Sequence, residues 1–170
     1  MNHRLVGALG IVLSLAAGPA TAHSEFSVVQ LEVSEVKSMD SGLVTVNADG
    51  MKKAIAETGR VALYGLFFDT GKADVKPESK PALDEIIKLL NGEPTMRLLV
   101  VGHTDTVGSP QGNQELSLRR AQSVVDTLVK GRGIDPGRLQ AAGVGFASPI
   151  ATNRNEQGRA RNRRVELVQY

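Results

Sequence analysis

The residue types able to do chemistry in this chain concentrate between His103 and Arg120. Within that stretch lie His103, Asp105, Thr106, Gly108, Asn113 and the adjacent pair Arg119 and Arg120. Arginine is a permanent cation whose forked donors match a carboxylate through two parallel hydrogen bonds, which lysine cannot reproduce. An arginine turned toward the buried side of a fold needs an anion, and Asp105 is the nearest candidate in sequence. The two can satisfy each other as a buried ion pair. A His103/Asp105 pair hints at metal or acid–base work, but with histidines only at 3, 23 and 103 and no cysteine, a histidine-rich or thiolate site cannot be assembled. His103 reads instead as a strand histidine hydrogen-bonded to its surroundings. No nucleophile stands with a base beside it.

These residues must be positioned by a strand and a helix. The apolar run Leu98 to Val101 leads into the stretch and a helical pattern leaves it, so its middle is a strand-to-helix loop. Helical phase separates the two arginines, because residues three, four and seven apart share a face. Asn113, Leu116, Ser117, Arg120 and Val124 share one stripe, which Ala121, Val125 and Leu128 continue toward the core. Arg119 falls with Glu115, Gln122 and Asp126 on a solvated face.

The spaced set His103-Thr104-Asp105, Gly108, Asn113, Leu116-Ser117 and Arg120-Ala121, with Asn162-Arg163-Arg164-Val165-Glu166 far downstream, resembles the signature of the OmpA-like peptidoglycan-binding domain. The resemblance runs from near Arg60 to Tyr170. It implies a two-layer α/β sandwich, and a ligand: the diaminopimelate of a peptidoglycan stem peptide, whose side-chain end carries an ammonium and a carboxylate. The matching positions are Asp105 for the ammonium and Arg120 for the carboxylate. A Phe-Asp loop borders the ligand groove in that family, which makes Phe68 and Asp69 rim candidates, although Asp69 also fits a tight turn completed by Gly71. Thr106 and Gly108 suit a turn that presents backbone donors. Asn113 reads as an N-cap or a ligand contact, with helix N-terminal amides near it adding donors for the same anion. One of Arg163 and Arg164 is expected to buttress the binding loop, the other arginines of that stretch being solvated.

Composition bounds the alternatives. In 170 residues there are no cysteines and no tryptophans, and aromatics make up 4%. Disulfides and thiolate chemistry are excluded, and aromatic platforms for sugars or single-stranded nucleic acid are disfavoured. A formal net charge of +2 without a basic, aromatic-interleaved run argues against nucleic acid. No cofactor or metal is expected.

Residues 1–22 have the three parts of a secretory signal peptide: Asn2-His3-Arg4, the apolar run Leu5 to Ala17, and the small-x-small site Ala20-Thr21-Ala22. The apolar run is too short to span a bilayer, so the expected destination is the periplasm, with no direct membrane span. Residues 23–59 form a short N-terminal β/α extension or the remnant of a larger module, with two strands between Phe26 and Asp49 and a helix from Met51 to Glu57 stopped by Gly59. Residues 60–170 then read β-α-β-α-β-β: a buried strand Arg60–Phe68, a helix opened by Pro77 with Leu83, Ile86, Ile87 and Leu90 inward, a strand Met96–Val101, the arginine helix, a strand Leu139–Phe146, a helical turn Gly158–Asn162 and a last strand Arg164–Tyr170.

The leading expectation is a non-catalytic module that binds peptidoglycan and tethers the protein to the cell wall, on the outer-membrane side of the periplasm, with an outer-membrane or other envelope protein as a further partner. The alternatives are a wall hydrolase or amidase using Asp69 and Asp105 as paired carboxylates, and an interaction protein with this fold that does not bind the wall.

Overall fold

The computed structural model describes residues 47–170; the signal peptide expected over residues 1–22 and the two strands expected before Asp49 lie outside the described residues. Four helices and four strands follow in the order α1 (Ala48–Thr58), β1 (Arg60–Leu63), α2 (Lys80–Gly92), β2 (Leu98–Gly102), α3 (Pro110–Arg132), β3 (Leu139–Gly143), α4 (Glu156–Asn162) and β4 (Val165–Gln169). The sheet order is β1-β4-β2-β3. Strand β3 runs parallel to β2, while β4 is antiparallel to both β1 and β2 and lies between them. The result is the expected two-layer α/β sandwich, a mixed four-stranded sheet packed against helices.

Local chemistry sets most helix ends. The Asn47 carbonyl oxygen of the side chain accepts from Gly50 N at 2.8 Å, and Gly59, at φ 76°, closes α1. Ser109 caps α3 by accepting from Gly112 N, Pro110 occupies the first helical position, and Gly133 ends the helix in the left-handed region. Helix α3 therefore begins a turn earlier than Asn113, which is not its N-cap. The end of α2 is tied down from a distance: Arg138 donates to the carbonyls of Leu90, Glu93 and Met96.

Between sheet and helices lies a core that includes Leu83, Ile86 and Leu90 of α2, Ala121, Val124 and Leu128 of α3, and Leu98, Val100, Val165 and Leu167 of the sheet. Met51 and Ile55 of α1, assigned to the extension on sequence, are buried in this same core. Helix α3 comes closest to the sheet at Gly102 and Gly143, where a Cβ would overlap the Ser117 carbonyl oxygen and the Leu118 backbone nitrogen respectively.

Two strands are shorter than their apolar runs. The run from Arg60 was expected to stay extended to Phe68 and buried on both faces; it leaves the sheet after Leu63, an edge strand whose ladder ends opposite Val165, the first residue of β4. Phe67 is exposed, and Phe68 returns only to an isolated bridge with Val75. Strand β3 likewise stops at Gly143, opposite the last residue of β2.

The close approach makes a direct test of packing. Gly102→Ala should cost about 1–3 kcal/mol of stability, the usual penalty of an overfilled contact. Gly131, whose missing side chain would meet nothing within 4 Å, supplies the control. Gly131→Ala should leave stability unchanged or raise it by up to about 1 kcal/mol. Urea denaturation midpoints of the two variants against the parent decide it.

Candidate functional site

Of the sequence-predicted residues, Phe68, Arg120, Arg163 and Arg164 come together at the carboxyl ends of β1 and β2, two parallel strands separated by β4; Asp105 joins them through Arg163, while Asp69, Thr106, Gly108 and Asn113 do not line the space between them. A cleft of about 250 Å³ opens there, lined by Tyr64, Phe67 and Phe68 after β1, His103 after β2, Arg120 of α3 and Arg163 beside β4, among others.

Arg120 is buried and points into this cleft, as its helical phase requires. Its partner is not Asp105. Nε donates to the Lys72 carbonyl at 3.0 Å and Nη2 to the Asp69 carbonyl at 3.3 Å, and the guanidinium lies 5.0 Å from the centroid of the Phe68 ring, a cation–π distance. One edge of the fork is thus filled by backbone, while Nη1 has no hydrogen-bond partner among the described residues. Burial, and then the positive charge of Arg163, lower the Arg120 pKa, with Asp105 opposing. Arginine nevertheless stays charged near neutrality, so an anion placed there would relieve both effects. Arg119 is exposed and 3.7 Å from Glu115 one turn away, a surface pair.

Asp105 is buried in a fixed arrangement. Its Oδ1 accepts from Val107 N at 2.9 Å, a turn geometry typical of aspartate, and its Oδ2 accepts from Arg163 Nη1 at 2.7 Å. The other end of Arg163 donates to Glu156 Oε1 at 2.6 Å, and Glu156 also accepts from Arg159. The Asp105 hydrogen bond is the main cause that raises the Arg163 pKa. Hydrogen bonds from Arg163, then Arg159, hold Glu156 below its ordinary value. Glu156 was not anticipated. Its signal was present, since Glu156, Arg159 and Arg163 recur at helical spacing.

Arg163 and Arg164 differ in what they touch. Arg163 reaches the Asp105 loop; Arg164 is buried beneath, bound to Glu166 Oε1 through Nε at 2.8 Å and to the Ser148 carbonyl. The expectation that the remaining arginine would be solvated is therefore wrong, because Glu166, on the sheet face opposite Val165 and Leu167, supplies it with a buried partner.

Thr106 and Gly108 are exposed, and Gly108 has φ 97°, a conformation that favours glycine. Asn113 is buried, and its side-chain amide donates to the Val107 carbonyl at 2.9 Å, so it holds the 105–109 loop from inside the first turn of α3. Phe68 stacks on Arg120. Asp69 forms the anticipated turn, its carbonyl accepting from Lys72 N and Gly71 adopting φ 71°, while its exposed carboxylate faces Lys76 and Lys72. The hydrogen bond from Lys76 is the first cause of its lowered pKa.

His103 departs from expectation. It is buried, yet neither ring nitrogen finds a hydrogen-bond partner among the described residues; Glu166 Oε2 is 3.7 Å from Nε2, and the Thr104 hydroxyl is similarly unpaired. Among the described residues no cluster of three acidic, histidine or cysteine side chains is placed to hold a metal, and no helix is long and apolar enough to cross a membrane.

Residues 67–163 match the OmpA family model. This chain belongs to the OmpA family. Over 123 residues it is 43% identical to outer membrane porin F of Pseudomonas aeruginosa, covering 72% of this chain but only 35% of that protein. Among solved structures it resembles the peptidoglycan-associated lipoprotein of Burkholderia pseudomallei, with a TM-score of 0.57, 28% identity and coverage of 62% of this chain and 88% of that one. It also resembles the cell wall anchor of the type VI secretion system of P. aeruginosa, with a TM-score of 0.55, 32% identity and coverage of 71% and 93%. The OmpA family member described here thus shares its α/β sandwich with envelope proteins.

Burial, and then the Arg164 guanidinium, push the His103 pKa down to about 4, with Glu166 pulling the other way. The unfolded chain takes a proton near pH 6.5 that the folded chain refuses until about pH 4. Stability therefore falls as pH drops through that window, by up to about 3 kcal/mol from this group. His103→Gln should flatten that part of the slope, seen as a smaller difference between urea midpoints at pH 7 and pH 4.5 than in the parent.

Proposed function

We propose that this OmpA family protein binds peptidoglycan without chemistry, through the ammonium and carboxylate at the side-chain end of diaminopimelate, and so tethers itself to the cell wall from the periplasm. The observation that carries the reading is Arg120: a buried guanidinium stacked on Phe68, one edge committed to backbone and the Nη1 end uncommitted among the described residues, in a cleft it shares with the arginine that carries Asp105. A free carboxylate is the complementary anion, and Asp105 is the acceptor for the neighbouring ammonium. Val107 N, Gly108 and Asn113 shape the loop that holds Asp105; Thr106 is on its exposed side; Phe68 and the Asp69 turn fix Arg120, and Arg164 supports the floor. The named likenesses to a peptidoglycan-associated lipoprotein and to a cell wall anchor support this reading.

A wall hydrolase using Asp69 and Asp105 finds less support. Asp69 engages two lysines at the surface and offers Arg120 only its carbonyl, and Asp105 is already occupied by Arg163. A general base needs a carboxylate free to take a proton. On this reading the partners are the wall and an envelope protein, and no cofactor takes part.

Incubation with purified sacculi followed by sedimentation tests the proposal. The protein should pellet without releasing soluble fragments; fragments whose release is lost on Asp105→Asn would instead mark an enzyme. Asp105→Ala and Arg120→Ala should each weaken binding more than tenfold, equivalent to more than about 1.4 kcal/mol. Arg119→Ala should change little. Affinity should also fall as salt is raised, because the contacts are between charges near a surface. Sedimentation indifferent to both Asp105→Ala and Arg120→Ala would point to an interaction protein that does not use this site.

A further inference from the structure

The seat offered to a ligand ammonium is already taken. Arg163 Nη1 lies 2.7 Å from Asp105 Oδ2, and the side chain of Asp105 is only 10% exposed, so this is a partly desolvated pair rather than a loose surface one. An incoming cation must share that oxygen with Arg163 or displace it. Displacement is open to Arg163 because its other arm already rests on Glu156 Oε1, on the exposed side of α4, where the side chain can remain paired after leaving Asp105. Among the described residues Arg120 has no such anion in hydrogen-bond contact: it is held by carbonyls, which carry no net charge.

We propose that Arg163 is a specificity-determining residue, an internal competitor for Asp105 that rejects ligands bearing only a cation and admits those bearing a cation with an adjacent carboxylate. The inference rests on the reading of Asp105 and Arg120 given above. A simple amine that displaces Arg163 exchanges one ion pair for another and gains little. A zwitterion makes the same exchange and in addition gives Arg120 the anion it lacks. Discrimination thus arises from a penalty built against the wrong ligand as well as from contacts to the right one. Glu156, which touches no ligand, acts as a positioning residue by receiving Arg163 when it moves. Without Glu156 the displaced guanidinium has no waiting partner, and Asp105 is harder to vacate.

Binding of two probes, followed by titration with NMR detection, separates the possibilities. One probe is meso-diaminopimelate; the other is Nα-acetyl-lysine amide, which presents an ammonium and no carboxylate. The parent should prefer diaminopimelate by at least a hundredfold, and Arg163→Gln should narrow that ratio at least tenfold, chiefly by admitting the amine. Arg163→Lys, whose single ammonium cannot bridge Asp105 and Glu156 together, should narrow it to a smaller degree and guards against a loss of folding in the glutamine variant. Glu156→Gln should weaken diaminopimelate binding several-fold. A ratio that is unchanged or larger in both Arg163 variants, with both folded by circular dichroism, overturns the proposal and makes Arg163 a plain ligand contact or a strut. Absence of diaminopimelate binding in the parent, or binding untouched by Arg120→Ala, overturns the underlying site assignment instead.

Discussion

The site depends on how closely helix α3 sits on the sheet. At Gly102 and Gly143 the backbone of the helix occupies the space in which a side chain would stand. Ser117, fully buried at this contact, donates to the Gln114 carbonyl and accepts from Gly145 N at 2.9 Å, so it stitches the helix to the turn after β3. Arg120 follows Ser117 by three residues and Asp105 follows Gly102 by three. The two charged groups are therefore referred to a single rigid contact, one through a helix and one through a strand end. A shift of the helix by the width of a methyl group would move Arg120 away from the Lys72 and Asp69 carbonyls, and hydrogen bonds of about 3 Å tolerate little such displacement.

Around this contact two arginine systems of different character sit back to back. Arg164 and Glu166 are both buried and satisfied largely by each other and by nearby carbonyls; removing either partner would strand a charge, so this pair anchors the loop before β4. The chain Asp105, Arg163, Glu156 and Arg159 runs the other way, from the buried carboxylate outward to the surface of α4. Side-chain exposure rises along it from 10% at Asp105 through 38% at Arg163 to 64% at Glu156, and Arg159, at 26%, braces that exposed carboxylate from the side. Exchange is expected at the exposed end of such a chain and rigidity at the buried end, because screening by water lowers the cost of parting a pair.

Much of this was legible in the sequence because it depends on local periodicity. The assignment of Arg120 inward and Arg119 outward needed only the 3.6-residue repeat, and the surface pair of Arg119 with Glu115 follows from the same rule. Helix α1 and its stop at Gly59 were equally local. The start of α3 was misplaced although Ser109-Pro110 carried the signal, an N-cap followed by proline in the first turn. What could not be read was long-range. Asp105 and Arg163 are 58 positions apart in the chain and meet only because β4 inserts between β1 and β2, an order that the succession of elements leaves open. The premature ends of β1 and β3 have the same origin, since an apolar run stays in a sheet only as far as its neighbour extends. His103 illustrates the opposite failure. A polar residue on a strand was assumed to find a partner, and the fold buries it beside a carboxylate that is committed elsewhere.

The imidazole of His103 and the hydroxyl of Thr104, both without a hydrogen-bond partner among the described residues, follow Gly102 directly and precede Asp105. Unsatisfied buried groups cost stability, and natural folds retain few of them. Their position follows from what the site demands of the backbone. His103 N must bond to the Arg164 carbonyl and Thr104 N to the Gly145 carbonyl to carry the chain from the sheet to Asp105. Those two bonds fix where the side chains of 103 and 104 point, whatever partners they meet there. Replacing both by apolar residues of similar shape would remove the penalty while keeping the backbone path, so the polar side chains are not required to place Asp105. The strand exit is held by main-chain hydrogen bonds, and the acid it delivers is held by Val107 N and Arg163, which makes the geometry of the aspartate independent of the histidine beside it.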